Sequence, residues 1–260
     1  MASFSLSASR IKFIRSLSRK KEREESGLFV VEGEKMVNEA IVSGYRVREI
    51  YRRDEIGLPT MERISSLSSP PPVLALVEQR TGEDYTSQQW IENLARKKTP
   101  LVLALENIKD PGNMGTIIRV AEWFGVDVVY LSEECVEIYN PKVVQATMGA
   151  IFRQKVASCR PLCEVIRRCK ACGLPVFATS LHGENIYAAT EPLTKGVVIM
   201  GNESAGISDE MAAEAQRLLL IPSFQTSGHG SESLNVATAT AVVCAEFRRE
   251  FFASQPRTTR

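Results

Sequence analysis

The chain has 260 residues, of which 44% are hydrophobic and 24% are charged, and its formal net charge at pH 7 is +1. This composition is ordinary for a globular protein. No stretch approaches the roughly 20 apolar residues that a membrane-spanning helix needs, so the sequence predicts no membrane association. Six cysteines are scattered along the chain, which favours reduced thiols and a cytoplasmic location.

The first segment, residues 1–21, is rich in Ser and Arg and contains no acidic residue. Transit peptides share this composition, and a basic first helix of the mature protein is the alternative. The helix is the preferred interpretation, because the segment continues without a break into a folded unit. Residues 4–25 are predicted to form one amphipathic helix, with Ile11, Ile14 and Leu17 on its apolar side.

Short strands and helices follow in the next part of the chain. LFVVEG is predicted to be a strand that ends at Gly33, and EKMVNEAIVSG has helical spacing with Gly44 as its stop signal. Apolar and polar residues alternate in YRVREIYR, which predicts a strand. Residues 58–72 are predicted to contain a helix and a proline turn, and VLALVEQR is predicted to be another strand. These elements predict an α/β unit of about 95 residues.

A second pattern begins after WIENLARKKTP, which is interpreted as a linker. Strands that are apolar throughout alternate here with helices, which predicts a parallel sheet covered on both faces. The predicted strands are 101–106, 127–132, 175–180, 196–201 and 218–222, and the predicted helices are 115–124, 140–149, 161–172, 208–216 and 234–250. In such sheets ligands bind in the loops after the strands.

Three of these loops contain glycine and short polar residues: NIKDPGNMGTIIR, GNESAGIS and IPSFQTSGHGSESLNV. Such residues let backbone N–H groups approach a ligand closely. The common nucleotide-binding motifs are missing, since GNESAGIS lacks the GK[ST] of a P-loop and GHGSES lacks the third glycine of the dinucleotide fingerprint. Only two histidines, His182 and His229, are present, and His229 is expected in a loop.

The three loops resemble the SpoU (TrmH) branch of the SPOUT RNA methyltransferases. The first family motif matches Asn113, Gly115, Arg119 and the pair Phe124-Gly125; the second matches Gly201, Asn202, Glu203 and Gly206; the third matches Ile221, Pro222, Ser233, Leu234, Asn235 and Val236. The match covers residues 100–250. FVVEGEKMV resembles the substrate-binding domain that precedes the catalytic domain in members that act on ribosomal RNA.

The resemblance implies an α/β fold in which a C-terminal parallel-sheet SPOUT domain with a trefoil knot follows a smaller α/β domain. The predicted domains are 1–95, which binds RNA, and 96–260, which carries the knotted cofactor site. It also implies S-adenosylmethionine as cofactor, 2′-O-ribose methylation of RNA as reaction, and a homodimer with shared active sites. The link FQTSGHGSE is longer by roughly four residues than is usual in the family, which affects the shape of the cofactor pocket.

The resemblance also implies roles for individual residues. Arg119 matches the catalytic arginine, and because a guanidinium stays protonated it is expected to hold the adjacent phosphate and the developing oxyanion. Glu203 is expected to orient Arg119, while Asn113, Ser233 and Asn235 fix the ribose and the arginine. The predicted cofactor-binding residues are Thr179, Gly201, Asn202, Glu203, Gly206, Ile221, Pro222, Ser233 and Leu234.

Structural alternatives exist for several of these residues. Asn113 and Ser233 are residue types that cap helices, and Glu203 is suited to the first turn of a helix. The cysteines of CRPLCEVIRRCKAC lie close enough together to suggest zinc, but the segment is predicted to be one helix with free thiols in the core. No metal is therefore predicted.

The basic N-terminal helix is interpreted as an RNA-contacting surface, although charge runs are usually solvated faces. The residues predicted to contact RNA are Arg10, Lys12, Arg15, Arg19, Lys20 and Arg23. Ribosomal RNA is the favoured substrate. Three alternatives remain open: a tRNA methyltransferase, a non-catalytic RNA-binding member of the fold, and an unrelated doubly wound enzyme that acts on a small molecule.

Overall fold

The structure is a computed structural model that describes residues 6–189, 191–225 and 233–253, with side chains to residue 251. The chain forms two compact units. The N-terminal unit ends at Gly82 and also contains Glu137–Arg153, and the C-terminal unit contains Glu83–Val136 and the chain from Gln154 onwards. The boundary that the sequence places between residues 95 and 96 stays a prediction.

The N-terminal unit is built on a three-stranded antiparallel sheet of strand order β1-β3-β2. Both faces of β3 are buried, since VLALV is apolar throughout. One face packs against Phe29, Met36 and Tyr139, and the other against Ile14, Leu17 and Met61. Its elements before residue 83 are α1 Ala8–Ser16, α2 Lys20–Ser26, β1 Leu28–Glu32, α3 Glu34–Val42, β2 Val47–Arg52, α4 Arg53–Ile56, α5 Leu58–Ile64 and β3 Val73–Glu78.

The predicted single helix over residues 4–25 is wrong, because α1 ends at Ser16 and α2 begins only at Lys20. The hydroxyls of Ser16 and Ser18 donate to the carbonyls of Phe13 and Arg15. Serine hydroxyls that bond to nearby backbone in this way compete with the helical pattern.

The C-terminal unit contains a six-stranded sheet of strand order β6-β5-β4-β8-β7-β9, in which every pairing is parallel. The predicted covered parallel sheet is therefore confirmed. The elements from residue 83 on are α6 Gln88–Ala95, β4 Leu101–Leu105, α7 Pro111–Trp123, β5 Val128–Leu131, α8 Pro141–Ala146, β6 Val156–Ser158, α9 Leu162–Ala171, β7 Val176–Asn185, β8 Gly196–Met200, α10 Asp209–Glu214, β9 Arg217–Leu220 and α11 Val236–Ala253.

Two of these elements were missed by sequence reasoning. The segment interpreted as a linker contains α6, whose Ile91 and Leu94 are buried in the core of the C-terminal unit. The edge strand β6 has only three residues and no buried position, so it lacks the apolar run that identified the other strands. Helix α8, between β5 and β6, belongs to the N-terminal unit.

The described residues include no helix long and apolar enough to cross a membrane. The trefoil knot stays a prediction, and the predicted long link with His229 falls largely on residues 226–232, outside the described part of the chain.

Candidate functional site

A cavity of about 770 Å³ lies at the carboxyl ends of β8 and β9 and beside residues 179–182 of β7 in the C-terminal unit. This is the edge of a parallel sheet at which ligands bind. Every residue predicted to bind the cofactor contributes to its wall, namely Thr179, Gly201, Asn202, Glu203, Gly206, Ile221, Pro222, Ser233 and Leu234. The structure thus brings together residues that lie up to 55 positions apart in the sequence.

The loop after β8 forms one wall of the cavity and closes on itself. The backbone groups of Asn202 and Gly206 pair across it, with N–O distances of 3.0 and 2.8 Å. Gly206 adopts a left-handed conformation with φ +68°, which glycine accepts without strain. A Cβ atom on Gly201 would overlap the carbonyl of Gly206, so the tight loop requires glycine at residue 201.

Three predicted catalytic residues form one hydrogen-bonded group beside the cavity. The side-chain amide of Asn113 donates to the Glu203 carboxylate. The Nδ2 of Asn235 donates to Asn113 Oδ1 at 2.8 Å and lies 3.5 Å from the same Glu203 oxygen. A carboxylate that accepts from two amides is held in a fixed position.

The structure also shows which of these residues cap helices. Helix α7 is capped by Asp110, whose side chain accepts from the backbone N–H of Asn113. Asn235 caps α11 as well as bonding to Asn113, since its Oδ1 accepts from the N–H groups of Ala237 and Thr238 at the start of that helix. Ser233 lies in the cavity wall instead of capping that helix. Glu203 lies in a loop and outside any helix.

The predicted contact between Glu203 and Arg119 is not present within the chain. Glu203 bonds to the two asparagines instead, and Arg119 is exposed and has no hydrogen bond or ion pair to any described residue. Arg119 shares one face of α7 with Thr116 and Trp123, which are both exposed and lie three and four residues away. This spacing places them on one side of the helix.

The cavity wall includes residues for which the sequence predicted no role. Leu181 and His182 continue β7 beyond Thr179, and Phe224 follows Pro222. Loops after parallel strands are the expected ligand positions, so applying that rule to the predicted strand 175–180 would have identified Leu181 and His182, which the structure places within β7. Phe224 carries no motif that could have indicated it.

The basic residues of α1 and α2 differ in how far they are available to a partner. Arg10 bonds to Glu49 and Tyr51, and Arg19 and Lys20 pair with Glu22 and Glu24. Lys12 and Arg15 are exposed and have no ion pair among the described residues. They are the members of the predicted set that remain open to an RNA phosphate.

Arg23 must be removed from the set of residues predicted to contact RNA. Its side chain is only 2% exposed and its guanidinium bonds to Glu137 and, at 2.8 Å, to the carbonyl of Leu17. A buried cation needs such partners. Arg23 therefore stabilises the N-terminal unit and does not face solvent.

The clustered cysteines lie in or against the core of the C-terminal unit. Cys159, Cys163 and Cys169 are buried there and Cys172 packs against them. Burial raises the pKa of the Cys159 and Cys169 thiols to about 12, so both stay protonated at neutral pH. Among the described residues no group of His, Cys, Asp and Glu is arranged to hold a metal ion, and the absence of a metal stays a prediction.

Two protein-family models match the chain. The SpoU rRNA Methylase family matches residues 100–245, the segment that contains the cavity. The MRM3-like substrate binding domain matches residues 8–103. Together they account for nearly all of the described chain.

Known proteins agree with this assignment over almost the full length. The 23S rRNA (guanosine(2553)-2'-O)-methyltransferase RlmP of Bacillus subtilis is 29% identical over 92% of this chain and 96% of its own. A putative TrmH-family RNA methyltransferase of Porphyromonas gingivalis is 34% identical, with a TM-score of 0.80 over 94% and 99% of the two chains. The AdoMet-bound rRNA methyltransferase of Sinorhizobium meliloti is 29% identical, with a TM-score of 0.81 over 95% and 98%.

Proposed function

Because the chain belongs to the SpoU rRNA methylase family, we propose that it transfers a methyl group from S-adenosylmethionine to a ribose 2′-hydroxyl of ribosomal RNA. The Bacillus subtilis relative is named for this reaction on 23S rRNA, and the Sinorhizobium meliloti relative was crystallised with the cofactor. The observation that carries the proposal is the cavity at the carboxyl ends of β8 and β9, beside the group of Asn113, Glu203 and Asn235.

The residues of the cavity fit the proposed cofactor. Its volume of 770 Å³ lies in the range of about 300–1,000 Å³ that is typical of small-molecule sites. The bare backbone at Gly201 and Gly206 lets N–H and C=O groups line the wall, and Ile221 and Leu234 add apolar surface. When bound there, the cofactor supplies a methyl group activated by its sulfonium centre.

The chain has to position the ribose hydroxyl and accommodate the proton that this hydroxyl loses. Arg119 cannot accept that proton, since a guanidinium stays protonated in proteins. We assign it to hold the neighbouring phosphate and the negative charge that develops on the hydroxyl oxygen, with a phosphate or a water molecule as proton acceptor. Asn113 and Asn235, fixed by Glu203, are assigned to hold the ribose.

A homodimer with shared active sites is part of the proposal. Arg119 has no partner among the described residues of its own chain, and it lies on an exposed face of α7 beside Trp123, whose surface is 83% exposed. Aromatic residues and arginine are enriched in the cores of protein–protein interfaces relative to the rest of the surface. A second subunit on this face would supply the partner that Arg119 lacks.

The proposal also includes RNA contact by the N-terminal unit, a trefoil knot in the C-terminal unit and a cytoplasmic location. The match of residues 8–103 to a substrate binding domain supports the RNA contact. Lys12 and Arg15 are the exposed cations of α1 that are best suited to phosphate.

Transfer of labelled methyl groups tests the proposal. Wild-type protein, Arg119→Ala and the control Arg249→Ala are incubated with labelled S-adenosylmethionine and ribosomal RNA that lacks modifications. We expect labelling by wild type and by Arg249→Ala, and a loss of at least 100-fold with Arg119→Ala. Binding of RNA without labelling in all three samples would instead favour a non-catalytic RNA-binding protein.

A further inference from the structure

We propose that Glu106 and Asn107, which follow β4, are positioning residues that hold the loop 201–208 in its cofactor-binding form. This inference rests on the proposed function, because it assigns the cofactor to the cavity that this loop lines. Neither residue belongs to the cavity wall. They would therefore act through the residues of the loop and not by touching the cofactor.

The bonds within the loop fix its shape but not its orientation on the sheet. The Oδ1 of Asn202 accepts from the N–H and hydroxyl of Ser204, at 2.9 and 2.8 Å, and from the N–H of Ala205 at 3.3 Å. With the Asn202–Gly206 backbone pairing, these bonds make a compact turn. The Glu203 carboxylate connects the middle of the turn to Asn113 and Asn235, and the orientation of its two ends on the sheet depends on further contacts outside it.

Hydrogen bonds at both ends of this turn connect it to Glu106 and Asn107, the two residues after β4. Near its start, the Nδ2 of Asn202 donates to the carbonyl of Asn107 at 3.1 Å. At its end, the N–H and hydroxyl of Ser208 donate to the two carboxylate oxygens of Glu106 at 2.8 and 2.6 Å. The two ends of the loop are thus attached to adjacent residues of a neighbouring strand.

The dipeptide itself is fixed by the sheet. The N–H of Glu106 donates to the carbonyl of Met200 at 2.9 Å, which extends the pairing of β4 with β8. The N–H of Asn107 donates to the hydroxyl of Ser132, which is buried after β5, at 3.0 Å. The direction of the Asn107 carbonyl therefore depends on strands β4, β5 and β8 together.

The backbone of Asn107 explains why this position needs an unusual residue. It adopts a left-handed conformation with φ +58°, in which only glycine and a few residues such as asparagine are tolerated. A β-branched residue would favour another conformation and turn the carbonyl away from Asn202. The side chain of Asn107 donates or accepts no hydrogen bond that would itself explain the choice, and its Oδ1 is buried without a partner among the described residues.

The hydrogen bonds between Glu106 and Ser208 also have an interpretation that involves stability alone and not cofactor binding. Ser208 caps α10 by accepting from the N–H of Met211 at 3.2 Å, so Glu106 could serve only to strengthen that cap. In that case loss of Glu106 lowers stability without changing the affinity for the cofactor. The two interpretations therefore predict different results for binding.

The test compares Glu106→Ala, Asn107→Val and Asn107→Gly in the full-length protein, with Glu191→Gln as control for an exposed carboxylate. Calorimetry gives the Kd for S-adenosylmethionine, steady-state kinetics separate KM from kcat, and thermal unfolding reports stability. We expect Glu106→Ala and Asn107→Val to raise Kd and KM for the cofactor roughly tenfold or more, with kcat at saturation within about a factor of two. Asn107→Gly, which accepts φ +58°, should restore near wild-type affinity.

Two results would overturn the inference. Unchanged cofactor affinity in Glu106→Ala and Asn107→Val would show that neither residue positions the loop for the cofactor. Loss of affinity in Asn107→Gly as large as in Asn107→Val would show that the side chain is needed, and not the backbone carbonyl.

Failure of the proposed function would be recognised separately. If wild-type protein does not bind S-adenosylmethionine, the cofactor assignment is wrong. Amide hydrogen exchange of residues 201–208 in the ligand-free protein then decides the positioning role. Faster exchange in Glu106→Ala and Asn107→Val supports it, and unchanged exchange contradicts it.

Discussion

At the scale of single residues, the carboxylate of Glu203 organises the candidate site. It accepts hydrogen bonds from the side-chain amides of Asn113 and Asn235, which reach it from the start of α7 and the start of α11. The motif in the sequence could predict that these residues meet. It could not predict that Arg119 lies apart from them, because the pairing of an exposed side chain depends on neighbours that a single chain need not contain.

Asn235 offers a way to separate the site from the helix cap. Asn235→Ala removes both the cap of α11 and the amide that bonds Asn113, so we expect about 1 kcal/mol less stability and at least tenfold less methyl transfer. Asn235→Ser keeps a capping oxygen and loses only the amide. Chemical denaturation should therefore find the Ser variant nearly as stable as wild type, while activity stays low. Full activity in that variant would refute the role of the amide.

Arg23 provides a test in the N-terminal unit. Arg23→Ala leaves Glu137 and the carbonyl of Leu17 without their buried partner, and we expect a loss of about 3–5 kcal/mol in the free energy of unfolding. Arg19→Ala is the matched control, since its pair with Glu22 is exposed and such pairs contribute about 0–1 kcal/mol. Equal effects of the two substitutions on denaturation would contradict the buried role of Arg23.

At the scale of elements, the sequence predicted the strands of the C-terminal unit well and the amphipathic helices less well. LVLAL, VVYL and GVVIM are buried along their whole length, so composition alone identifies them. Helix α6 lies in WIENLARKKTP, which is interpreted from the sequence as a linker, although its buried residues Ile91 and Leu94 have helical spacing. The break between α1 and α2 depends on serine side chains whose bonding cannot be read from the pattern of apolar residues.

A buried arginine attaches helix α11 to the edge of the sheet at which β4 and β5 begin. The guanidinium of Arg248, only 7% exposed, donates to the carbonyls of Thr99, Phe124 and Gly125, each at 2.9 Å. Burial lowers the pKa of this guanidinium, and the nearby Asp127 opposes that effect. These bonds join α11 to the segments that precede β4 and β5.

Substitution of Arg248 should therefore weaken the C-terminal unit. Arg248→Ala leaves three carbonyls without a donor, and we expect the free energy of unfolding to fall by about 2–4 kcal/mol. Arg248→Lys should recover little of this, since one ammonium cannot reproduce the planar fork. The exposed neighbour variant Arg249→Ala should change stability by less than about 1 kcal/mol. Denaturation curves that do not distinguish the two alanine variants would refute the attachment.

At the scale of the whole molecule, the organisation of the chain differs from a simple division at one boundary. The family models divide it near residue 100, yet Glu137–Arg153 belongs by its contacts to the N-terminal unit. Tyr139, Val144, Ile151 and Phe152 of this segment pack with Phe29 and Val37. A segment-by-segment analysis of the sequence cannot detect such long-range packing, because the apolar residues of α8 fit either unit.

Assembly of two copies is the prediction that belongs to this scale. If the exposed face of α7 forms a homodimer with shared sites, Trp123→Glu should convert the protein to a monomer and lower methyl transfer by at least tenfold, because it places a charge in an apolar contact. Sedimentation velocity measures the change in mass. Val42→Glu, at a residue that is 76% exposed on α3 of the N-terminal unit, is the control and should leave the mass unchanged. A wild-type monomer that is fully active would contradict the shared site.

The proposed reaction is identified by the atom of the RNA that receives the methyl group. RNA methylated by the wild-type protein is hydrolysed with alkali, and the products are separated and identified by mass spectrometry. A 2′-O-methyl group blocks cleavage at its own nucleotide, so we expect the label to remain in an alkali-resistant dinucleotide and Arg119→Ala to abolish it. Label recovered on a base within a mononucleotide would exclude 2′-O-ribose methylation.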